Sequence, residues 1–273
     1  MPRKSLPTRL AAVAALLLTT GALSTPAASA SSAHSADAAP GDAYVLTVST
    51  DPATTDHDHR RVDVTGTVTK ADGTPAPHIP VTVEEVVRFT TWNPWGDPID
   101  PTYYEPRELG RPVSDADGRF TIPDVDIDHV GTSSLLNVQQ GVQITAFYDE
   151  DGDLNTPQDG YFADTTVTAD ARPSSVTYTV NRKRLKAGDI LVVQGRVALP
   201  QGVEPGDTEV FLQTYWEGQY RVRTTTRADG TFMLLARVRD YDDTFTLRTA
   251  PRDMYVSGAI RSLPVTNTSL PRG

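Results

Sequence analysis

One set of motifs occurs twice in the same order, and this repeat constrains the fold more than any single residue does. Val64-Thr65-Gly66-Thr67-Val68 matches Val193-Gln194-Gly195-Arg196-Val197. Val81-Thr82-Val83 matches Val210-Phe211-Leu212, and Ala116-Asp117-Gly118-Arg119-Phe120 matches Ala228-Asp229-Gly230-Thr231-Phe232. Ile144-Thr145-Ala146 then matches Phe245-Thr246-Leu247, and each copy closes on a strand near Val167 or Val265. Within each element apolar and polar residues alternate, the period of a strand buried on one face. Turns rich in Asp, Gly and Pro, such as Asp72-Gly73-Thr74-Pro75, separate the elements. Beyond residue 30 no segment shows the 3.6-residue period of an amphipathic helix of three turns. A complete repeat of this kind predicts two copies of one small unit. The expected fold is all-β, two tandem Greek-key β-sandwich domains.

The ends of the chain read differently. Arg3, Lys4 and Arg9 precede an apolar run over residues 10–23, and Ala28-Ser29-Ala30 forms an A-x-A site. This is the pattern of a secretory signal peptide over residues 1–30, its apolar run far short of the ~20 residues a membrane helix needs. Residues 31–43 are rich in Ala and Ser without hydrophobic period and read as a flexible arm. The first domain is expected over residues 44–171 and the second over 172–269. The linker Ala171-Arg172-Pro173-Ser174-Ser175 should leave the two limited relative freedom. Alternation places Val62, Val64, Val68, Val81, Val83, Val86, Phe120, Ile122, Ile144 and Phe147 inside the first. It places Val193, Val197, Val210, Leu212, Phe232, Leu234, Phe245 and Leu247 inside the second.

Composition excludes several functions. The 273 residues contain no cysteine, so disulfides, thiolate metal sites and a cysteine nucleophile are ruled out. A net charge of −10 argues against a general nucleic-acid binder, because phosphates must be neutralised by cations. Arginine outnumbers lysine 21 to 4, the bias of a high-GC bacterial exported protein. There is no G-x-S-x-G elbow, H-E-x-x-H helix, phosphate-cradling glycine loop or dinucleotide fingerprint. The expectation is a secreted, non-enzymatic protein with no required cofactor, no nucleic-acid partner and no membrane insertion.

The V-x-G-x-V strand, the D-G-x-P turn, the V-x-V strand and the A-D-G-x-F hairpin together resemble transthyretin-like and carboxypeptidase-regulatory-like β-sandwich domains. The second copy, with Leu212, Trp216 and the hairpin ending at Phe232, is also similar to bacterial Ig-like surface modules. The resemblance covers most of the chain beyond residue 43. It implies sandwiches of seven or eight strands used for binding, spacing or assembly, and fold of itself fixes no function.

Candidate sites lie where the copies differ. Gly66 and Gly118 are 52 positions apart, Gly195 and Gly230 only 35. Much of the extra length is a proline-rich aromatic loop over residues 91–110 carrying Trp92, Trp95, Tyr103 and Tyr104. Rigid aromatic side chains lose little entropy on docking, so these four are candidate protein contacts, as are Ala39 in the arm and Tyr44 at its end. Two alternatives stay open: the rings bury one another over the sandwich, or they bind carbohydrate. Asp149, Asp151, Asp153 and Asn155 place oxygen donors at alternate positions around Gly152, which suits Ca²⁺ in a structural role. The competing reading is a solvated acidic turn. Asp56-His57-Asp58-His59 is a weaker metal candidate, and Arg182-Lys183-Arg184 with Lys186 is either a polyanion site or a solvated loop. The expected partners are other secreted proteins in a hetero-complex. In layout, an arm followed by two sandwiches, the chain resembles the adaptor subunit of umbrella-type toxin particles.

Overall fold

Strand periodicity carries straight through to topology in both copies. The computed structural model describes residues 32–34, 44–92, 102–149, 160–214 and 220–270. The first copy forms β1 (Tyr44–Asp51), β2 (Arg61–Lys70), β3 (Thr82–Thr90), β4 (Thr102–Gly110), β5 (Arg119–Asp126), β6 (Asn137–Tyr148) and β7 (Tyr161–Asp170). One sheet runs β1-β2-β5 and faces a second of order β7-β6-β3-β4. The second copy forms β8 (Ser175–Val180), β9 (Ile190–Ala198), β10 (Glu209–Gln213), β11 (Tyr220–Thr225), β12 (Thr231–Arg237), β13 (Thr246–Ala250) and β14 (Ile260–Ser262). Its sheets run β8-β9-β12 and β11-β10-β13-β14, the same three-on-four arrangement threaded in the same order. All neighbouring pairs among these fourteen strands are antiparallel. No helix occurs among the described residues. The chain is an all-β protein of immunoglobulin-like sandwiches.

The repeated glycine and phenylalanine have one steric cause. Gly66 on β2 pairs with Phe120 on β5, and Gly195 on β9 pairs with Phe232 on β12. A Cβ on Gly66 would stand 2.1 Å from the Phe120 ring and 2.2 Å from the Thr47 carbonyl oxygen. On Gly195 it would meet the Thr177 carbonyl oxygen at 2.2 Å and Phe232 at 2.7 Å. In each copy the end of the aromatic ring fills the space over the strand that only glycine leaves bare. The hairpin glycines Gly118 and Gly230 have φ of 72° and 81°, and their carbonyls accept hydrogen bonds from Val68 and Val197 at 2.7 and 2.9 Å. These two close contacts are what the repeat conserves within the chain.

Buried apolar residues gather in two clusters, one per copy. All eight residues expected inside the second are buried. In the first, Ile122 and Phe147 are only half-buried, because β5 bulges between its partners Val62 and Val64 and Phe147 lies on the outer face of β6. Val86 is a correction. Strict alternation along β3 buries Val81, Val83, Glu85, Val87 and Phe89, so Val86 faces outward and a carboxylate points into the core. The closing strand of the second copy is β14, and Val265 follows it as a half-buried loop residue.

The junction between the copies is a packed joint rather than a loose linker. Arg172–Pro173 pairs in parallel with Val256–Ser257, and the Arg172 amide donates to the Tyr255 carbonyl at 2.9 Å. Met254 and Tyr255, from the second copy, lie within the core cluster of the first. Tyr255 is fully buried, its hydroxyl donating to the Ile127 carbonyl at 2.8 Å and lying 2.9 Å from Thr55 Oγ1. The Leu135 amide donates to the Pro251 carbonyl at 3.1 Å. A long apolar anchor with a satisfied polar tip explains why so short a linker suffices.

Candidate interaction surfaces

The aromatic insertion is half strand. Residues 102–110 form β4, an edge strand paired only with β3, so Tyr103 and Tyr104 stand on a sheet edge rather than in a loop. Pro106 lacks an amide donor, which is tolerated on such an edge. Tyr103 is 44% exposed and stacks on buried Phe89, with ring centroids 6.2 Å apart. Tyr104 is 59% exposed on the other face, with the Arg88 guanidinium 5.5 Å from its ring centre. Between β4 and the loop after β5, the Glu105 carboxylate accepts from His129 Nδ1 at 2.6 Å and from the Val130 and Gly131 amides at 3.2 and 3.1 Å. The edge is therefore fixed from behind, with Tyr104 facing outward and Tyr103 on the core side of the open edge, against Phe89. Trp92 is half-buried, and Arg223 of the second copy lies 4.0 Å over its ring. That contact belongs to the joint. Trp95 and Ala39 lie outside the described residues.

The opposite edge, β7, carries an added strand. Ser32–His34 pairs antiparallel with it, Ser32 opposite Asp164 and His34 opposite Phe162. The arm is thus corrected at these three residues, which are strand rather than free chain. An open strand presents unpaired amides and carbonyls, and a chain segment passing it gains hydrogen bonds without needing apolar side chains. Tyr44 is half-buried, set edge-on to Tyr148 and Tyr161 at 5.5 and 5.4 Å, which packs it into the molecule rather than presenting it. Beside this edge, Glu84, Thr145, Phe147, Asp149, Tyr161 and Phe162 line an open cleft of ≈ 410 Å³.

Next to the joint sits a charged network that sequence alternation missed. Glu85 is buried, and its Oε2 accepts from Arg107 Nε at 3.1 Å and from Arg107 Nη2. Burial pushes the Glu85 carboxyl up to about 7, opposed by Arg107 and reinforced by the nearby charge of Asp128. Asp128 is itself raised by burial. Arg60 bridges the copies, donating to Asp128 at 3.2 Å and to Asp253 at 2.7 Å, with its guanidinium 4.6 Å from the Tyr255 ring centre. Burial raises the Tyr255 hydroxyl to about 12, so it stays a donor at neutral pH. Two guanidinium groups, Arg60 and Arg107, thus hold three carboxylates, Asp128, Asp253 and Glu85.

The metal candidates divide. Asp149 closes β6 and lines the cleft, whereas Asp151, Asp153 and Asn155 lie outside the described residues. His57 Nδ1 is 3.0 Å from Asp58 and His59 Nδ1 is 3.1 Å from Asp56, so each imidazole is taken by a different carboxylate. Asp56 accepts the Asp58 and His59 amides at 2.8 Å and thereby builds a turn. No group of three or more His, Asp or Glu poised for a metal exists among the described residues.

No family model matches this chain, and no curated protein matches it. Solved structures superpose loosely. A tetra-tandem repeat from the extending region of a large adhesion protein aligns at TM-score 0.34 and 18% identity, over 82% of this chain and 49% of that one. The Escherichia coli adhesin FdeC aligns at TM-score 0.26 and 10% identity, over 80% and 63%. Escherichia coli alpha-2-macroglobulin aligns at TM-score 0.29 and 10% identity, over 84% and 24%. This chain thus spans about half of the first of these and about a quarter of the macroglobulin. Superpositions this loose fix neither domain arrangement nor function.

Proposed function

We propose that this chain is a secreted, non-enzymatic adaptor that links other exported proteins through the sheet edges of its first domain and through its N-terminal arm. The observation that carries the reading is the strand pairing of Ser32–His34 on β7, since a segment that adds itself to one open sheet edge can add to a partner's edge in the same way. The joint supports it: a bridge must hold its two ends at a fixed angle, and Tyr255, Arg60 and Trp92 tie the copies together. A protein partner is favoured over carbohydrate because the exposed tyrosines are not bare platforms. Tyr104 lies against Arg88 and Tyr103 lies on Phe89. The finer reading is a bridging subunit of an extracellular bacterial assembly such as an umbrella-type toxin particle, and it rests on layout. The test is recovery of partners from culture supernatant with the full secreted chain, with a variant lacking residues 31–42, and with Tyr104→Ala. The expected result is a defined partner set lost on truncation. Recovery of monomer alone from the intact chain would overturn the adaptor reading, and full recovery by the truncated chain would remove the arm from it.

A further inference from the structure

The two three-stranded sheets share one register between Val64 and Gly66 and between Val193 and Gly195, and beyond it β5 bulges where β12 does not. Align Gly66 with Gly195 and Phe120 with Phe232. The outer face of the first sheet then presents Arg61, Asp63, Thr65 and Thr121, all exposed and polar. The corresponding positions of β9 and β12 are Ile190, Val192, Gln194 and Met233, with Leu235 one step further along the outer face. Ile190, Met233 and Leu235 are 44, 46 and 54% exposed. At three of these positions the first copy is polar where the second has Ile190, Val192 and Met233, whereas Gln194 stays polar and Leu235 corresponds to exposed Pro123, so strand formation does not account for those three apolar residues.

Cations border that face. Arg237 pairs with Ile190 at the end of the sheet where the loop 181–189 brings Arg182, Lys183, Arg184 and Lys186. All five are exposed, and none forms an ion pair among the described residues. Charge is also split along the chain. Residues 44–171 hold 23 acidic and 7 basic side chains, whereas residues 172–270 hold 10 acidic and 14 basic.

The acidic half offers a matching surface on the outer face of β7-β6-β3-β4. There Phe147 pairs with Phe162 in an apolar row. The next row out holds Glu84, Thr145 and Asp164, while Glu108, opposite Glu84 on β4, is held by Arg111 at 2.9 and 3.0 Å. These rows border the ≈ 410 Å³ cleft. On β9 and β12 an apolar row of Val192 and Leu235 adjoins a row ending in Arg237 and the basic loop. On each face an apolar row adjoins a row that carries charge, Glu84 and Asp164 on the one and Arg237 on the other.

We propose that the apolar, cationic face of β8-β9-β12 docks on the acidic, aromatic face of β7-β6-β3-β4 in a second copy of this chain, head to tail. Sheets stack face to face at ~10 Å, which suits two flat rows of side chains better than insertion into a lipid surface. A three-stranded face of this length covers about 300 Å². That is well under the ~800 Å² per partner of a stable interface, so association is weak and salt-sensitive. Because the two patches differ, the contact is heterologous and continues beyond a dimer.

Sedimentation of the intact protein against concentration tests this. At low salt the weight-average mass should rise past that of a dimer, and at about 1 M salt, where the Debye length is ~3 Å, it should return to monomer. Leu235→Glu and Arg237→Glu on one face, and Phe162→Ser on the other, should each weaken association at least tenfold, and the first two should leave the melting temperature unchanged. Mixing Leu235→Glu with Phe162→Ser restores one intact junction and should give dimers only. A monomer up to about 1 mM, the limit of a useful contact, would overturn the proposal. So would association indifferent to Leu235→Glu, or mixtures that stay monomeric. Co-sedimentation of monomers with phosphatidylglycerol vesicles would overturn it in favour of a lipid surface.

Discussion

Replacing Tyr255 should weaken the first domain although the residue belongs to the second. Tyr255 is fully buried in the first core, and its hydroxyl donates to the Ile127 carbonyl at 2.8 Å. Tyr255→Phe keeps the ring and leaves that buried carbonyl without its donor, at a cost of about 1–3 kcal/mol. Tyr255→Ala also removes the ring and opens a cavity, at about 3–5 kcal/mol, by analogy with other buried aromatics. In a domain of this size 1 kcal/mol moves the melting temperature by roughly 4 °C, so the alanine variant should melt about 12–20 °C lower in the affected part. Differential scanning calorimetry is the assay. The variant should show a separate early transition for the first domain, because the Arg60–Asp253 bridge loses the ring it lies against. If Tyr255→Ala leaves the calorimetric profile within 1 °C of the parent, the anchoring argument is wrong.

Three other outcomes are expected. Glu85 has its folded-state pKa raised to about 7 from an ordinary 4.5. Its contribution is therefore complete below pH 4.5 and lost as pH rises through about 7, up to about 3 kcal/mol at the usual ~1.4 kcal/mol per unit. Glu85→Gln should flatten the dependence of melting temperature on pH between 4.5 and 7.5, and an unchanged slope would assign it elsewhere. Gly66→Ala and Gly195→Ala should each cost at least about 1–3 kcal/mol in denaturant titrations, since the new Cβ meets a carbonyl oxygen that cannot rotate away. If the acidic run holds Ca²⁺, chelator should lower the melting temperature, and an Asp151→Ala, Asp153→Ala double variant should abolish the difference. No chelator effect would assign the run to turn geometry alone.

What the sequence made legible was what periodicity and turn chemistry encode. Gly66, Phe120, Gly118 and their counterparts are local steric requirements, so the repeat predicted strands, hairpins and the duplication together. The edge strand β4 was hidden because Thr-Tyr-Tyr-Glu-Pro-Arg-Glu-Leu-Gly has no apolar alternation: its core-facing positions are filled by Glu105 and Arg107, which bond to His129 and Glu85 instead of packing. Val86 was expected inside because it is more hydrophobic than its neighbour Glu85, and only the register of β3 decides between them. Tyr255 could not be read at all. Its partners Thr55 and Ile127 lie 200 and 128 positions away, and nothing local marks a tyrosine that will enter another domain's core.

The Tyr255 anchor also sets an order of events as the chain emerges, N-terminus first. Strands β1 to β7 are complete at residue 170, yet the core that they enclose still lacks Met254 and Tyr255. Until some 85 further residues have followed, that core has an unfilled seam beside Ile127 and Leu135, the kind of exposed apolar surface that chaperones capture. A chain truncated anywhere between residues 171 and 254 would keep all seven strands and leave that seam open for good. Frameshift and nonsense products of this protein should therefore be lost by aggregation and proteolysis even when their first domain is intact in sequence.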